Sequence, residues 1–228
     1  MWKWEPRAEP SSFWRLASPV LALGLTVVLG VILFLALGKD PVKGLQVFFW
    51  EPIRSSYALG ELVVKATPLL LIALGLALCF RSNVWNIGAE GQYVMGAVFA
   101  TGVALFAEKT SGGWFFIPVL LAGLVGGMCW AAIVAWLRDR FHANEILVSL
   151  MMVYVAIMVL GYLVYGPWKD PLGYNFPQTK TFEVATQVPR LFKGSRVNLG
   201  ALLALAGVAA LWVFMFRIRA GWAQQIGG

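Results

Sequence analysis

The sequence predicts an all-α protein, a polytopic transmembrane helical bundle of about six spans with a cytoplasmic N-terminus. Of its 228 residues, 60% are hydrophobic and only 13% are charged, whereas a soluble domain carries roughly 25% charged residues. The charged residues are bunched, and four uncharged runs reach the length of about 20 residues that a helix needs to cross a bilayer. These runs are 16–38, 110–137, 146–168 and 197–216, and shorter uncharged runs cover 66–80 and 91–107.

The N-terminal segment, residues 1–15, is predicted to be cytoplasmic because Lys3, Arg7 and Arg15 precede the first apolar run. That run exceeds the h-region of a cleaved signal peptide, so we expect a retained signal anchor, although Ala36-Leu37-Gly38 is a passable cleavage site. Residues 16–220 then form the predicted membrane domain. Alternating spans place the arginine-bearing short loops in the cytoplasm, as the positive-inside bias requires: Arg81, Arg138, Arg140, Arg217 and Arg219.

Two long loops, 39–65 and 169–196, fall on the outer side in this topology. In the first, apolar residues recur at helical spacing and predict a helix lying in the outer interface, limited or kinked by Pro52. The second loop is rich in proline, and we expect an ordered cap rather than a helix. On the fourth span, Gly123 and Gly127 form a GxxxG pattern, which favours close packing within this subunit over a dimer seam.

The segment Asn86-Ile87-Gly88-Ala89-Glu90-Gly91-Gln92 separates the runs 66–80 and 91–107, which are both short for a membrane span. A carboxylate beside a bilayer is costly unless it is partnered or solvated. Interrupted, glycine-bearing apolar segments point to a transport pathway, and an ordinary tight turn between two spans is the alternative. We therefore predict that Asn86, Glu90 and Gln92 line or support a polar pathway.

Two further groups of polar residues lie at predicted span ends. Asn144 and Glu145 stand at the entry to the fifth span, where they are either pathway residues or a helix cap, since Asn144 suits the cap and Glu145 the helix dipole. Arg81 and Glu90 are a candidate ion pair that lowers the cost of both charges in the interface.

Several functions are excluded by what the sequence lacks. It contains no Gly-x-x-x-x-Gly-Lys-Ser/Thr loop, no His-Glu-x-x-His, no Cys-x-x-Cys and no Gly-x-Ser-x-Gly, so no catalytic or cofactor-binding residue is predicted. Cys79 and Cys129 lie in apolar runs, and His142 has no second soft ligand nearby, so no metal site is predicted. The basic residues that give the net charge of +7 flank the spans and do not form a basic face for nucleic acid.

At these residues the sequence resembles the permease subunits of ABC importers, in the branch for nucleosides and simple sugars. The resemblance covers roughly residues 60–220, and the order and spacing of four blocks carry it. The blocks are Ala66-Thr67-Pro68-Leu69-Leu70-Leu71, the Asn86–Gln92 segment, Asn144-Glu145-Ile146-Leu147-Val148-Ser149-Leu150-Met151 and Gly166-Pro167-Trp168-Lys169-Asp170-Pro171.

The resemblance implies a membrane-spanning permease subunit in a bacterial cytoplasmic membrane. Its implied partners are a second permease subunit, separate cytoplasmic subunits that bind ATP, and an extracytoplasmic substrate-binding protein. The substrate implied is a nucleoside or a similar small polar solute. A non-transporting membrane scaffold or a truncated, inactive permease fragment is the alternative, and an ion-coupled carrier is disfavoured because the long runs contain no acidic residue.

Residues 221–228 depart from the family pattern, and we expect them to be a frame-shifted tail. Codons exist for Gly221-Trp222-Ala223-Gln224-Gln225-Ile226-Gly227-Gly228 whose next frame encodes Val-Gly-Arg-Asn-Lys-Ser-Ala-Ala. That peptide resembles the cytoplasmic docking segment of the family. A short natural ending and a trimmed chain are the alternatives.

Overall fold

The computed structural model describes residues 11–107, 112–219 and 221. In this part of the chain the structure is helical, and the single β-bridge joins Arg190 to Asn198. The helices are α1 (Ser12–Ala36), α2 (Pro41–Leu45), α3 (Ser56–Arg81), α4 (Ala89–Ala104), α5 (Phe116–Phe141), α6 (Glu145–Tyr165) and α7 (Leu199–Arg217). Shorter π- or 3-10-helical turns cover Gln46–Trp50, Glu51–Ile53 and Val184–Thr186. The predicted tail at 221–228 lies outside the described residues except for Gly221.

Five of the described helices are long and apolar enough to cross a membrane, namely α1, α3, α5, α6 and α7. The sixth apolar helix, α4, has only 16 residues and falls below the roughly 17–25 residues that a span requires. The all-helical transmembrane fold is therefore confirmed, and the predicted count of about six corresponds to five full-length spans and one short helix.

The chain forms two compact units, residues 1–62 and 63–228. In the first unit, α1 is followed by a continuous helical stretch from Pro41 to Ile53. Its start is capped by Asp40, whose Oδ1 accepts hydrogen bonds from the backbone N–H groups of Val42 at 2.9 Å and Lys43 at 3.3 Å. The predicted helix in the first outer loop is thus present, and it ends directly after Pro52.

Two predictions about the second span were wrong. Its apolar run was expected to be short and residues 39–65 were expected to form a loop, but α3 begins at Ser56 and has 26 residues. The Ser55 hydroxyl accepts a hydrogen bond from the Ala58 N–H at 3.1 Å and so caps the helix start. The helix continues through Glu61 and Lys65, and the Lys65 side chain is exposed.

In the second unit, α4 packs closely against both α5 and α6 through glycines. A Cβ on Gly96 would lie 2.9 Å from the Gly123 carbonyl oxygen of α5. A Cβ on Gly91 would lie 3.0 Å from the Val153 Cα of α6. The GxxxG pattern at Gly123 and Gly127 therefore packs against α4 within the subunit, as predicted.

The part of α3 that lies in the second unit, from residue 63 onward, runs parallel to α7. A Cβ on Gly200 would lie 3.5 Å from Thr67 Cγ2, and one on Gly207 would lie 3.0 Å from Leu74 Cδ1. At the C-terminal ends of the two helices, the Arg81 guanidinium lies 5.8 Å from the centroid of the Phe216 ring. The C-terminal ends of α3 and α7 thus lie at the same end of the bundle.

The second long loop, residues 169–196, is an ordered cap as expected. The Asp170 N–H donates to the Gln178 carbonyl at 2.8 Å, and the Leu191 N–H donates to the Val197 carbonyl at 2.8 Å. The one helical element in residues 169–196 is the 3-10 turn Val184–Thr186. This agrees with the prolines in the segment, which disfavour a longer helix.

Candidate functional site

A cavity of about 890 Å³ opens at the end of the second unit where α3 and α5 finish and α4 and α6 begin. Its wall carries a concentration of polar and charged side chains from these helix ends. They are Asn86, Gln92, Arg138, Asp139, His142, Asn144 and Glu145, with Cys79 beside them. The cavity is of the size that small-molecule sites usually have, about 300–1,000 Å³.

A hydrogen-bonded amide pair fixes the orientation of Gln92 on this wall. The Gly88 N–H donates to Asn86 Oδ1 at 2.9 Å. Because a backbone N–H can only donate, this bond directs the Asn86 amino group the other way, where Nδ2 donates to Gln92 Oε1 at 3.3 Å. The Gln92 amino group is left with two N–H donors, and among the described residues no acceptor is paired with them.

The segment that carries Asn86 is held in place by α6. The Ser149 hydroxyl is fully buried; it accepts a hydrogen bond from the Ile87 N–H and donates to the Ile146 carbonyl, both at 3.2 Å. A Cβ on Gly88 would lie 2.8 Å from the Ser149 carbonyl oxygen, so only glycine fits there. The position of the amide pair therefore depends on contact with α6.

Asn144 and Glu145 lie on the cavity wall and also stand at the N-terminal end of α6. Asn144 Oδ1 accepts hydrogen bonds from the Ile146 N–H at 3.0 Å and the Leu147 N–H at 3.2 Å, which makes it the N-cap of α6. Glu145 Oε2 lies 3.7 Å from Arg138 Nε, and both side chains are partly exposed. Asn144 therefore has the capping role that the sequence left open, and it also lines the cavity.

Glu90 differs from the other predicted pathway residues in its position. It lies in the first turn of α4 with an exposed side chain, and it is not part of the wall of the 890 Å³ cavity. Within the described part of the chain, Arg81 and Glu90 do not form the expected ion pair. The Arg81 guanidinium lies over the Phe216 ring instead, a favourable cation–π arrangement.

The structure adds residues to the site that sequence reasoning had assigned elsewhere. Cys79 was expected to be a small buried hydrophobe, but it is half-buried and lines the cavity. His142 lies on the wall in the left-handed conformation, with φ of 52°. Trp130 is not on the cavity wall; it donates from Nε1 to the Met152 carbonyl at 3.3 Å and so ties α5 to α6.

The fold and cavity together define a polytopic membrane protein with a polar site at one end of its helical bundle. The profile of the family described as branched-chain amino acid transport system / permease component matches residues 58–225. The chain belongs to this permease family, which confirms the resemblance to ABC importer permeases.

Curated relatives carry related names. The chain is 35% identical over 95% of its length to the glucose ABC transporter permease protein TsgB13 of Haloferax volcanii, covering 59% of that protein. It is 27% identical over 87% of its length to the guanosine ABC transporter permease protein NupP of Bacillus subtilis, covering 57% of it. With the nucleoside ABC transporter permease protein NupB of Lactococcus lactis, identity is 22% over 89% of the chain and 58% of the relative.

The chain thus spans a little under three fifths of the length of the first curated relatives that it matches. No solved structure matches the chain.

Proposed function

We propose that this chain is the membrane-spanning permease subunit of an ATP-driven importer for a nucleoside or a simple sugar. The observation that carries the proposal is the polar 890 Å³ cavity between helix ends in a chain of the permease family. The relatives named for glucose and guanosine support this class of solute. Sugars and nucleosides share several hydroxyl groups, which match the amides on the cavity wall.

The proposed importer needs parts that this sequence does not carry. Separate cytoplasmic subunits bind ATP, a second permease subunit completes the pathway, and an extracytoplasmic binding protein delivers the solute. Support for this arrangement comes from the family match and from the relatives named as ABC transporter permeases. The proposed location is the bacterial cytoplasmic membrane.

In this proposal the arginine-rich end of the bundle faces the cytoplasm. Cys79 near the end of α3 and Arg138 near the end of α5 line the same cavity, so these two helix ends lie together. Arg81 contacts Phe216, so the end of α7 lies there as well. The positive-inside bias favours the cytoplasm for an end that gathers Arg81, Arg138, Arg140 and Arg217.

The residues on the cavity wall have different proposed tasks. Gln92 offers its two N–H donors to solute oxygens, and Asn86 holds Gln92 in that orientation. Asn144 and Glu145 shape the cytoplasmic mouth of the cavity through the cap of α6 and the contact with Arg138. For Glu90 we propose a supporting role, since its negative charge in the first turn stabilises the start of α4.

Uptake by whole cells tests the proposal. The gene for this chain is deleted from its own genome, and accumulation of labelled guanosine and labelled glucose is measured before and after the gene is restored. We expect deletion to lower the initial uptake rate of at least one of them by tenfold or more, and restoration to recover it. Unchanged uptake of both solutes, and of a wider panel of nucleosides and sugars, would contradict the proposal.

A further inference from the structure

A groove between the C-terminal halves of α3 and α7 is lined almost wholly by apolar side chains. It encloses about 240 Å³, and its lining is Leu74, Ala77, Leu78 and Arg81 of α3 with Val208, Leu211, Trp212, Met215 and Phe216 of α7. Among these described residues only Arg81 is charged, and it is the last residue of α3. We call this feature the α3–α7 groove. It shares no residue with the 890 Å³ cavity of the candidate site.

Two guanidinium groups lie against aromatic rings at this end of the groove. The Arg81 guanidinium lies 5.8 Å from the centroid of the Phe216 ring, and the Arg217 guanidinium lies 5.8 Å from that of the Trp212 ring. The two rings are neighbours, with their centroids 6.2 Å apart. The row Arg81, Phe216, Trp212 and Arg217 therefore places two positive charges beside one apolar groove.

These two charges have no counter-charge in the part of the chain that the structure describes. Neither Arg81 nor Arg217 forms an ion pair with a described carboxylate. The Trp212 and Phe216 side chains are both more than half exposed, so the row lies on the outer surface of the helices. Tryptophan rings in membrane proteins favour the level of the lipid headgroups. Arginine, with its fork of N–H donors, suits the phosphate of such a headgroup.

The charge of the groove selects among its possible occupants. An apolar helix of another subunit would cover the lining but leave both guanidinium groups without a counter-charge. A zwitterionic phospholipid fits the lining but carries no net charge. An anionic phospholipid supplies an acyl chain for the apolar lining and a net negative headgroup for the arginines. Basic pockets between membrane-spanning helices bind anionic headgroups in this way.

We propose that the α3–α7 groove binds an anionic phospholipid. Part of an acyl chain lies along the apolar lining, and the headgroup phosphate contacts Arg81 and Arg217. In the proposed topology this end of the helices faces the cytoplasm, so the lipid belongs to the inner leaflet. The site is separate from the candidate solute cavity, and the proposal does not depend on which solute the protein carries.

Lipid binding to the purified full-length chain in detergent tests the headgroup contact. Dioleoyl phosphatidylglycerol and dioleoyl phosphatidylcholine have the same acyl chains and differ in net charge, and native mass spectrometry gives the apparent Kd for the first bound lipid. We expect the wild type to bind phosphatidylglycerol at least fivefold more tightly than phosphatidylcholine. Arg81→Gln and Arg217→Gln should each weaken the binding of phosphatidylglycerol fivefold or more.

Arg140→Gln is the matched control for charge, because it removes an exposed arginine from the end of α5, outside the groove. It should leave the Kd for phosphatidylglycerol within about twofold of the wild type. Equal affinity of the wild type for the two lipids, or an equal loss in all three arginine variants, would overturn the site. If Arg81→Gln does not fold, the wild type and Arg217→Gln still decide, and either result leaves the proposed transport function standing.

A pair of alanine substitutions tests the acyl chain contact. Ala77→Phe fills the groove, whereas Ala210→Phe adds the same ring to an exposed position of α7 outside the groove. We expect Ala77→Phe to weaken the binding of phosphatidylglycerol fivefold or more, and Ala210→Phe to stay within about twofold of the wild type. Glycerol 3-phosphate, which has the phosphate without acyl chains, should not displace the lipid at hundredfold excess. Its displacement of the lipid, or unchanged binding in a folded Ala77→Phe variant, would contradict a lipid site in the groove.

Discussion

The buried hydroxyl of Ser149 accepts a hydrogen bond from the backbone N–H of Ile87 at 3.2 Å, across 62 residues of sequence. This bond ties the segment before α4 to the first turns of α6. Because Asn86 and Gly88 flank Ile87, the placement of the amide pair on the cavity wall depends on this contact.

Ser149→Ala is expected to destabilise the protein by about 1–3 kcal/mol, because it leaves the Ile87 N–H without its acceptor in a partly buried place. Hydrogen exchange of the full-length protein in detergent measures this at the Ile87 amide, which should exchange faster. Thr26→Ala is the control, since that hydroxyl donates only to the Ala22 carbonyl of its own helix. Unchanged exchange at Ile87 would show that the bond does not hold the segment.

Gly96→Ala is expected to lower the free energy of unfolding by about 1–3 kcal/mol, because its Cβ would lie 2.9 Å from the Gly123 carbonyl oxygen and force α4 and α5 apart. Thermal unfolding in detergent reports the change. Gly161→Ala, which meets no atom within 4 Å, should leave the midpoint unchanged or raise it slightly. Equal midpoints for the two variants would contradict the close packing of α4 on α5.

Two matched Asn→Asp changes separate solute binding from helix capping. Asn86→Asp keeps an acceptor for the Gly88 N–H but loses the donor to Gln92 Oε1, so Gln92 is no longer held with its amino group towards the cavity. We expect KM for uptake to rise about tenfold, which corresponds to about 1.4 kcal/mol of binding free energy. Asn144→Asp should leave uptake within about twofold of the wild type, since Asp caps a helix as well as Asn does. A larger rise in KM for Asn144→Asp than for Asn86→Asp would contradict the proposed role of the amide pair in solute binding.

Orientation is checked with single cysteines at the two ends of the bundle. Arg140→Cys should be inaccessible to an impermeant maleimide added to intact cells and accessible in inside-out vesicles, because the proposed topology places the arginine-rich end in the cytoplasm. Lys180→Cys, in the exposed cap at the other end, should show the reverse. Ready labelling of position 140 from outside intact cells would contradict the proposed topology.

The helical fold was predictable because the cost of burying charge in a membrane is large enough to clear charged residues from whole spans. The start of α3 was not, because Lys65 is exposed in the helix and its charge resembles a loop charge in the sequence. The short length of α4 was visible as an interrupted run: the helix begins only at Ala89, after the segment 82–88 that carries Asn86.

The candidate site was predictable to the level of a segment rather than of each side chain. Gln92 and Glu90 lie two positions apart on α4, so they project in different directions and only Gln92 faces the cavity. The role of Ser149 in holding the segment before α4 was not predictable from the sequence. A serine in an apolar helix can bond its own backbone alone, and the bond to Ile87 depends on tertiary packing.

Reconstitution of the complete transporter in proteoliposomes, with its ATP-binding subunits and binding protein, tests the central claim most directly. The measurement is accumulation of labelled guanosine or glucose in response to ATP, with the wild-type chain and with Gln92→Leu. We predict ATP-dependent accumulation against a gradient with the wild type, and a rate at least tenfold lower with Gln92→Leu at equal incorporation. Absence of ATP-dependent movement of any nucleoside or sugar by the wild-type assembly would contradict it.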